Sequence, residues 1–75
     1  MKLCNRLREH RRQSGLTQET LAHAVRVTRQ TVIAIERGKH EPSVRLALEI
    51  ARVLGVSIEN LFWLEEEEAQ KGVKR

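Results

Sequence analysis

The sequence predicts an all-α domain of five short helices, on three observations. Apolar residues recur at three- and four-residue intervals, as at Leu21, Ala22 and Val25 and again at Val32 and Ile35. That is the spacing of one face of a helix. Thr17, Thr28, Ser43 and Ser57 each stand just before a periodic segment, and Gly15, Gly38 and Gly55 stand just after one. Those residue types satisfy the open hydrogen-bonding groups at helix starts and ends. The chain has 75 residues, enough for one small core that buries roughly 60% of the unfolded surface. Dimerisation is a natural way for so short a chain to add core.

The first helix is expected from about Asn5 to Ser14, with Leu7 and His10 facing inward as packed core and Gly15 as its C-terminal cap. Thr17 caps the second helix, which ends near Val25. Thr28 caps the third, and Gly38 follows its last turn, where a left-handed residue is needed. Lys39 to Pro42 form a loop, because Pro42 disfavours a helical Glu41. Ser43 caps the fourth helix. Val44, Ala47, Leu48, Ala51 and Leu54 make one stripe on it, with Leu46 and Ile50 beside them, and Gly55 stops it. Ser57 caps a short fifth helix, and Glu59 complements the dipole of its first turn.

The ends differ from this body. Phe62, Trp63 and Leu64 are too apolar to lie free in water, and Met1 and Leu3 alternate with Lys2. Either the two ends pair as short strands, or the C-terminal segment covers a partner subunit. Residues 1–64 then form one domain. Residues 65–75 form a charged, frayed tail, acidic at Glu65 to Glu68 and basic from Lys71 to Arg75.

Lys and Arg number 14 against 10 Asp and Glu, a net charge of +4. Eleven of the bases lie within the first 52 residues, opposed there only by Glu9, Glu19, Glu36, Glu41 and Glu49. The excess sits in the helical body, as expected of a protein that meets phosphates. Cys4 is the only cysteine. It excludes an intrachain disulfide, leaves only an intersubunit one open, and points to a reducing interior. No apolar run approaches the roughly 20 residues of a membrane-spanning helix. The start is polar from residue 4 onward, unlike a signal peptide. The expected location is the cytoplasm.

The segment from about 17 to 37 carries the function. Two short amphipathic helices flank a four-residue break, which suits two helices crossing at a steep angle. The second begins with Arg29 and Gln30. Arg29 can pair with O6 and N7 of guanine, and Gln30 with N6 and N7 of adenine. Ala34, one turn beyond Gln30, presents a methyl to a thymine methyl or leaves room for a base. Ile33 meets a thymine methyl or lines a subunit contact. These four are the expected base contacts, made from the N-terminal turns of a recognition helix. Gln18, Thr28, Thr31, Arg37, Lys39 and His40 are the expected backbone contacts, which set register and salt dependence. Glu36 falls close to the packed stripe, where a carboxylate needs a partner. Arg11 on the first helix is that partner, in a structural ion pair.

Catalytic and metal readings find no support. His10, His23 and His40 lie in separate elements, and Cys4 to His10 is no zinc spacing. There is no glycine-rich phosphate loop and no serine elbow. The expectation is a protein that is not an enzyme and that uses no metal or cofactor.

From about Leu7 to Phe62 the chain resembles the Xre and phage-repressor family of helix-turn-helix regulators. The resemblance rests on Gly15-Leu16-Thr17-Gln18, Thr28-Arg29-Gln30-Thr31, Ile35-Glu36-Arg37-Gly38-Lys39, Pro42-Ser43, and Ile50-Ala51 through Leu54-Gly55-Val56-Ser57 to Leu61-Phe62. It implies a five-helix domain that binds operator DNA as a two-fold dimer on a palindrome. By position, Gln18, Thr28, Arg29, Gln30, Thr31 and Ala34 fall where family members touch DNA. Arg11 and Glu36 fall where some members bury an ion pair. Two positions depart from the family: Arg26 replaces the usual glycine of the turn, and His10 an aliphatic residue. The short length and the Phe-Trp-Leu end resemble compact members without an effector domain, some of which add a β-element at the dimer interface. Phe62, Trp63 and Leu64 are accordingly the expected interface. The function expected is a sequence-specific transcriptional regulator, a repressor acting by promoter occupancy, with no evident small-molecule ligand. Two competing readings stand beside it. One is a DNA-binding antitoxin that holds its toxin through the Trp63 region and acidic tail. The other is a protein-interaction module without DNA binding.

Overall fold

The computed structural model describes residues 1–67. Strand β1 (Lys2–Asn5) is followed by helices α1 (Leu7–Gln13), α2 (Gln18–Ala24), α3 (Arg29–Glu36), α4 (Val44–Leu54) and α5 (Ile58–Leu61), and by strand β2 (Phe62–Glu65). The five helices are present, framed by a two-stranded sheet.

Helix starts are closed by side chains at three of the four expected caps. Thr17 Oγ1 accepts the Thr20 N–H at 3.0 Å while Thr20 Oγ1 accepts the Thr17 N–H at 2.9 Å, a reciprocal box. Thr28 accepts from the Thr31 N–H and Ser43 from the Leu46 N–H. Ser57 precedes α5 but its hydroxyl makes no capping bond. At the end of α3, Gly38 takes φ 74°. Its N–H donates to the Ile35 carbonyl at 3.0 Å and the Lys39 N–H to the Ala34 carbonyl at 2.8 Å. That pair of bonds reverses the chain and satisfies two orphan carbonyls.

One core joins the helices. Leu7, Leu21, Val32, Ile35, Ile50 and Leu61 are fully buried, with Ala22, Val25, Ala51 and Leu54 around them. Leu16, Val27, Leu46, Val56, Ile58 and Phe62 close its edges.

On helices α1 and α4, three expectations need correction. Helix α1 begins at Leu7 because Asn5 belongs to β1. Its inward pair is Leu7 and Arg11, four residues apart, so His10 falls to the flank and is only half-buried. On α4 the buried stripe is Ala47, Ile50, Ala51 and Leu54, which leaves Val44 74% and Leu48 52% exposed. Two adjacent apolar stripes satisfy the same helical period, and only the neighbouring helices choose between them.

The ends pair with each other. β1 and β2 run antiparallel in the register Lys2 with Glu65, Leu3 with Leu64, Cys4 with Trp63 and Asn5 with Phe62. Opposed residues share a face. One face therefore carries Leu3, Asn5, Phe62 and Leu64, and the other Lys2, Cys4, Trp63 and Glu65. Glu65 is thus part of a strand, not of a tail. Glu68 and the basic stretch from Lys71 to Arg75 lie outside the described residues. Among the described residues no helix is long and apolar enough to cross a membrane.

Candidate nucleic-acid interface

Helices α2 and α3 pack directly against each other. The turn between them forces Arg26 into the left-handed region at φ 62°, which costs a residue with a Cβ about 1–2 kcal/mol. Anchors on both sides hold it there. Val25 is buried and Val27 half-buried, the Arg26 N–H donates to the His23 carbonyl, and the Val27 N–H donates to the Ala22 carbonyl.

That turn sets which side of α3 faces out. Val32 and Ile35 enter the core. On the far side Arg29 and Gln30 are exposed, and Thr31, Ile33 and Ala34 are half-buried. Arg29, Ile33 and Arg37, at four-residue intervals, line an open groove of about 240 Å³ with Arg8, Gln18 and Glu36. Arg37, Lys39 and His40 are exposed after the helix. Thr28 and Thr31 bring their hydroxyls within 3.0 Å of each other.

A buried polar joint fixes this helix to the rest of the molecule. The Glu36 side chain is 5% exposed, and Arg11 Nε donates to it at 2.6 Å. Arg11 Nη1 also donates to the Leu16 carbonyl at 2.9 Å. Gln18 Nε2 donates to Glu36 at 3.1 Å, so Gln18 is partly engaged inside the protein and keeps one amide N–H for another acceptor. One carboxylate on α3 thereby binds α1 and α2 together.

Arg8 and Arg12 add positive charge to this end from outside the helix-turn-helix motif. Arg8 lines the groove with Arg29 and Arg37, and together with Arg12 it borders Thr17 and Gln18. Arg8 and Arg12 sit four apart on the exposed side of α1, a spacing visible in the sequence but pointing to nothing until α1 is placed beside α2. Asn5, expected as the first residue of α1, instead bonds in two directions from the end of β1. Its Oδ1 accepts the Leu7 N–H at 3.0 Å and its Nδ2 donates to the Ile35 carbonyl at 2.9 Å.

A helix-turn-helix family model matches residues 7–61, the span from the first residue of α1 to the last of α5. The chain belongs to the helix-turn-helix family of the Xre/Cro-C1 type. It is 55% identical over 65 residues to an HTH-type transcriptional regulator of Methanothermobacter thermautotrophicus, covering 85% of this chain and 94% of that one. It is 50% identical over 64 residues to another from Methanocaldococcus jannaschii, covering 85% and 97%. Among solved structures it is similar to the restriction-modification controller protein C.AhdI of Aeromonas hydrophila, with TM-score 0.67 and 37% identity over 72% of this chain and 78% of that one. It is also similar to the clp gene regulator ClgR of Corynebacterium glutamicum, with TM-score 0.69 and 35% identity. That match covers 72% of this chain and 57% of ClgR.

Outside the helix-turn-helix unit, the sheet places the three expected interface residues differently. Phe62 packs against the core of its own chain. Leu64 is 61% exposed. Trp63 is half-buried on the other face, with the Arg6 guanidinium 5.2 Å from its ring centroid and its indole N–H donating to Glu65 at 2.8 Å. That bond holds the Glu65 carboxyl below the usual glutamate range. Burial, and then the neighbouring Glu65 charge, push the Cys4 thiol up, which disfavours the reactive thiolate. Among the described residues no cluster of three His, Cys, Asp or Glu could hold a metal ion.

Proposed function

We propose that this helix-turn-helix protein is a sequence-specific, double-stranded-DNA-binding transcriptional regulator, a repressor that binds a palindromic operator as a homodimer. The observation that carries this reading is the outward face of α3. Arg29 and Gln30 stand exposed on its first turn, while Glu36 at its far end is locked to α1 and α2. A forked donor and an amide on a rigid helix are what base-edge reading in the major groove requires. Ile33 and Ala34 supply apolar contact beside them. Thr28, Thr31, Gln18, Arg37, Lys39 and His40 hold the flanking phosphates, with Arg8 and Arg12 adding charge. The regulators of Aeromonas hydrophila and Corynebacterium glutamicum support a regulatory role. Leu64 and Trp63 form the contact between subunits, and Phe62 supports it from the core. The protein works in the cytoplasm, on the nucleoid.

The test is selection of sites from a random duplex library with the purified protein. The expected result is a palindrome whose half-site centres lie about one helical turn apart. Folded protein that enriches no sequence would overturn the reading.

A further inference from the structure

We propose that Asn5 is a positioning residue for the recognition helix. Through it the terminal sheet holds the end of α3, and the basic stretch that follows, in the geometry that meets DNA. The proposal rests on the DNA-binding reading above.

Asn5 ends β1, and its carboxamide bonds in two directions. Its oxygen accepts the Leu7 N–H at 3.0 Å. The N-cap residue of α1, Arg6, provides no side-chain cap, so Asn5 does that work from one residue upstream. Its nitrogen donates to the Ile35 carbonyl at 2.9 Å, across thirty residues of sequence. The orientation is forced, since an N–H needs the oxygen and a carbonyl needs the nitrogen. Asn is the short side chain that offers both. Asp offers acceptors only when ionised, and Ser is too short to span the two.

The carbonyl that receives this bond is the pivot of the region. Ile35 oxygen also accepts the Gly38 N–H at 3.0 Å, in the reversal that closes α3. Arg37, Lys39 and His40 lie on that reversal and just past it. One oxygen is therefore clamped from the helix's own turn on one side and from the sheet on the other. The sheet side is firm. Asn5 pairs with Phe62, Phe62 packs on the core, and the Arg6 N–H donates to the Leu61 carbonyl at 2.9 Å. Removing the Asn5 donor leaves the reversal held by its own bonds alone and lets the three basic residues move relative to α3.

The test is Asn5→Ser, a neutral change that keeps an acceptor near the Leu7 N–H and loses the reach to Ile35. In the free protein, amide exchange at Gly38 and Lys39 should rise at least tenfold relative to Ile50 and Ala51 in α4, which report global opening. On the selected duplex, affinity should fall roughly fivefold, in keeping with one lost hydrogen bond. The slope of log affinity against log salt should shrink by about one, as one phosphate contact is lost. A residue that only stabilises the fold would raise exchange equally in both regions and leave the slope unchanged, and that result overturns the proposal. Asn5→Asp, which keeps the cap and loses the donor, should repeat the exchange result and serves if the serine variant does not fold. If the wild type binds no duplex, the DNA-binding reading fails, and the exchange contrast still decides whether Asn5 holds the end of α3.

Discussion

Glu36 ties three helices together through one carboxylate. A carboxylate with 5% of its side chain exposed persists only because Arg11 and Gln18 both donate to it; an unpaired buried charge is costly. Arg11→Leu should therefore destabilise the protein by about 3–5 kcal/mol, because it strands the carboxylate. Adding Glu36→Leu to that variant should restore most of the loss. Urea titration of the single and double variants measures this, and a double variant no more stable than the single one would deny the charge its role. Arg29 is the opposite case, a side chain with nothing to do inside the protein. Arg29→Ala should leave stability within about 0.5 kcal/mol and relax base preference at one position of each half-site by about 1–3 kcal/mol. Repeating the site selection with the variant reads this directly, and an unaltered motif would remove Arg29 from the reading set. Both residues could be singled out from sequence, since each breaks the pattern around it: a charge beside an apolar stripe, and a cation at a helix start. Arg8, Arg12 and Asn5 break no pattern, and their roles depend on partners that folding brings in from elsewhere in the chain.

Among the elements, the turn between α2 and α3 is where local preference and global fold disagree. Arg26 pays a left-handed penalty that glycine would not, about 1–2 kcal/mol. Glycine in turn loses about 0.4–1 kcal/mol through its freer unfolded chain. Arg26→Gly should thus stabilise the protein by about 0.5 kcal/mol, seen as a small rise in melting temperature. A fall instead would mean that the Arg26 side chain contributes where it borders the hollow shared with Arg45, Glu49 and Arg52. Helix starts were legible because a capping hydroxyl acts on an N–H two or three residues away, as at Thr17, Thr28 and Ser43. Helix orientation was less so. On α4 the sequence offers Val44 and Leu48 as readily as Ile50, and contact with the rest of the core decides for Ile50. On α1 it offers His10, and the need to bring Arg11 to Glu36 turns His10 aside.

At the scale of the whole molecule, the proposed function rests on charge and on the terminal sheet. Lys39 is exposed beyond α3, and its proposed contact is a phosphate in place of a base. Lys39→Ala should weaken binding to all duplexes alike and lower the salt slope by about one; a change confined to one sequence would argue for a base contact instead. Trp63 is held between Arg6 and Glu65 on its own chain, presenting a fixed aromatic edge. Trp63→Ala should raise the dimer dissociation constant at least tenfold in sedimentation equilibrium, and an unaltered profile would place the subunit contact elsewhere.

By itself the sequence determined the helices, their caps and the character of the motif, because each of these is decided by groups within a few residues of one another. It left the fate of the two ends open between pairing and covering a partner. Only the tertiary structure joined them, because a strand has no internal hydrogen bonds and is defined by whichever distant segment completes its ladder. The same holds for the joint at Glu36 and the clamp at Ile35, where donors 18 and 25 residues away in sequence meet the two oxygens of one carboxylate and a donor 30 residues away meets one carbonyl. Spacing along a chain reports what neighbours can do, and the meeting of distant groups at one carboxylate or one carbonyl is settled by packing alone.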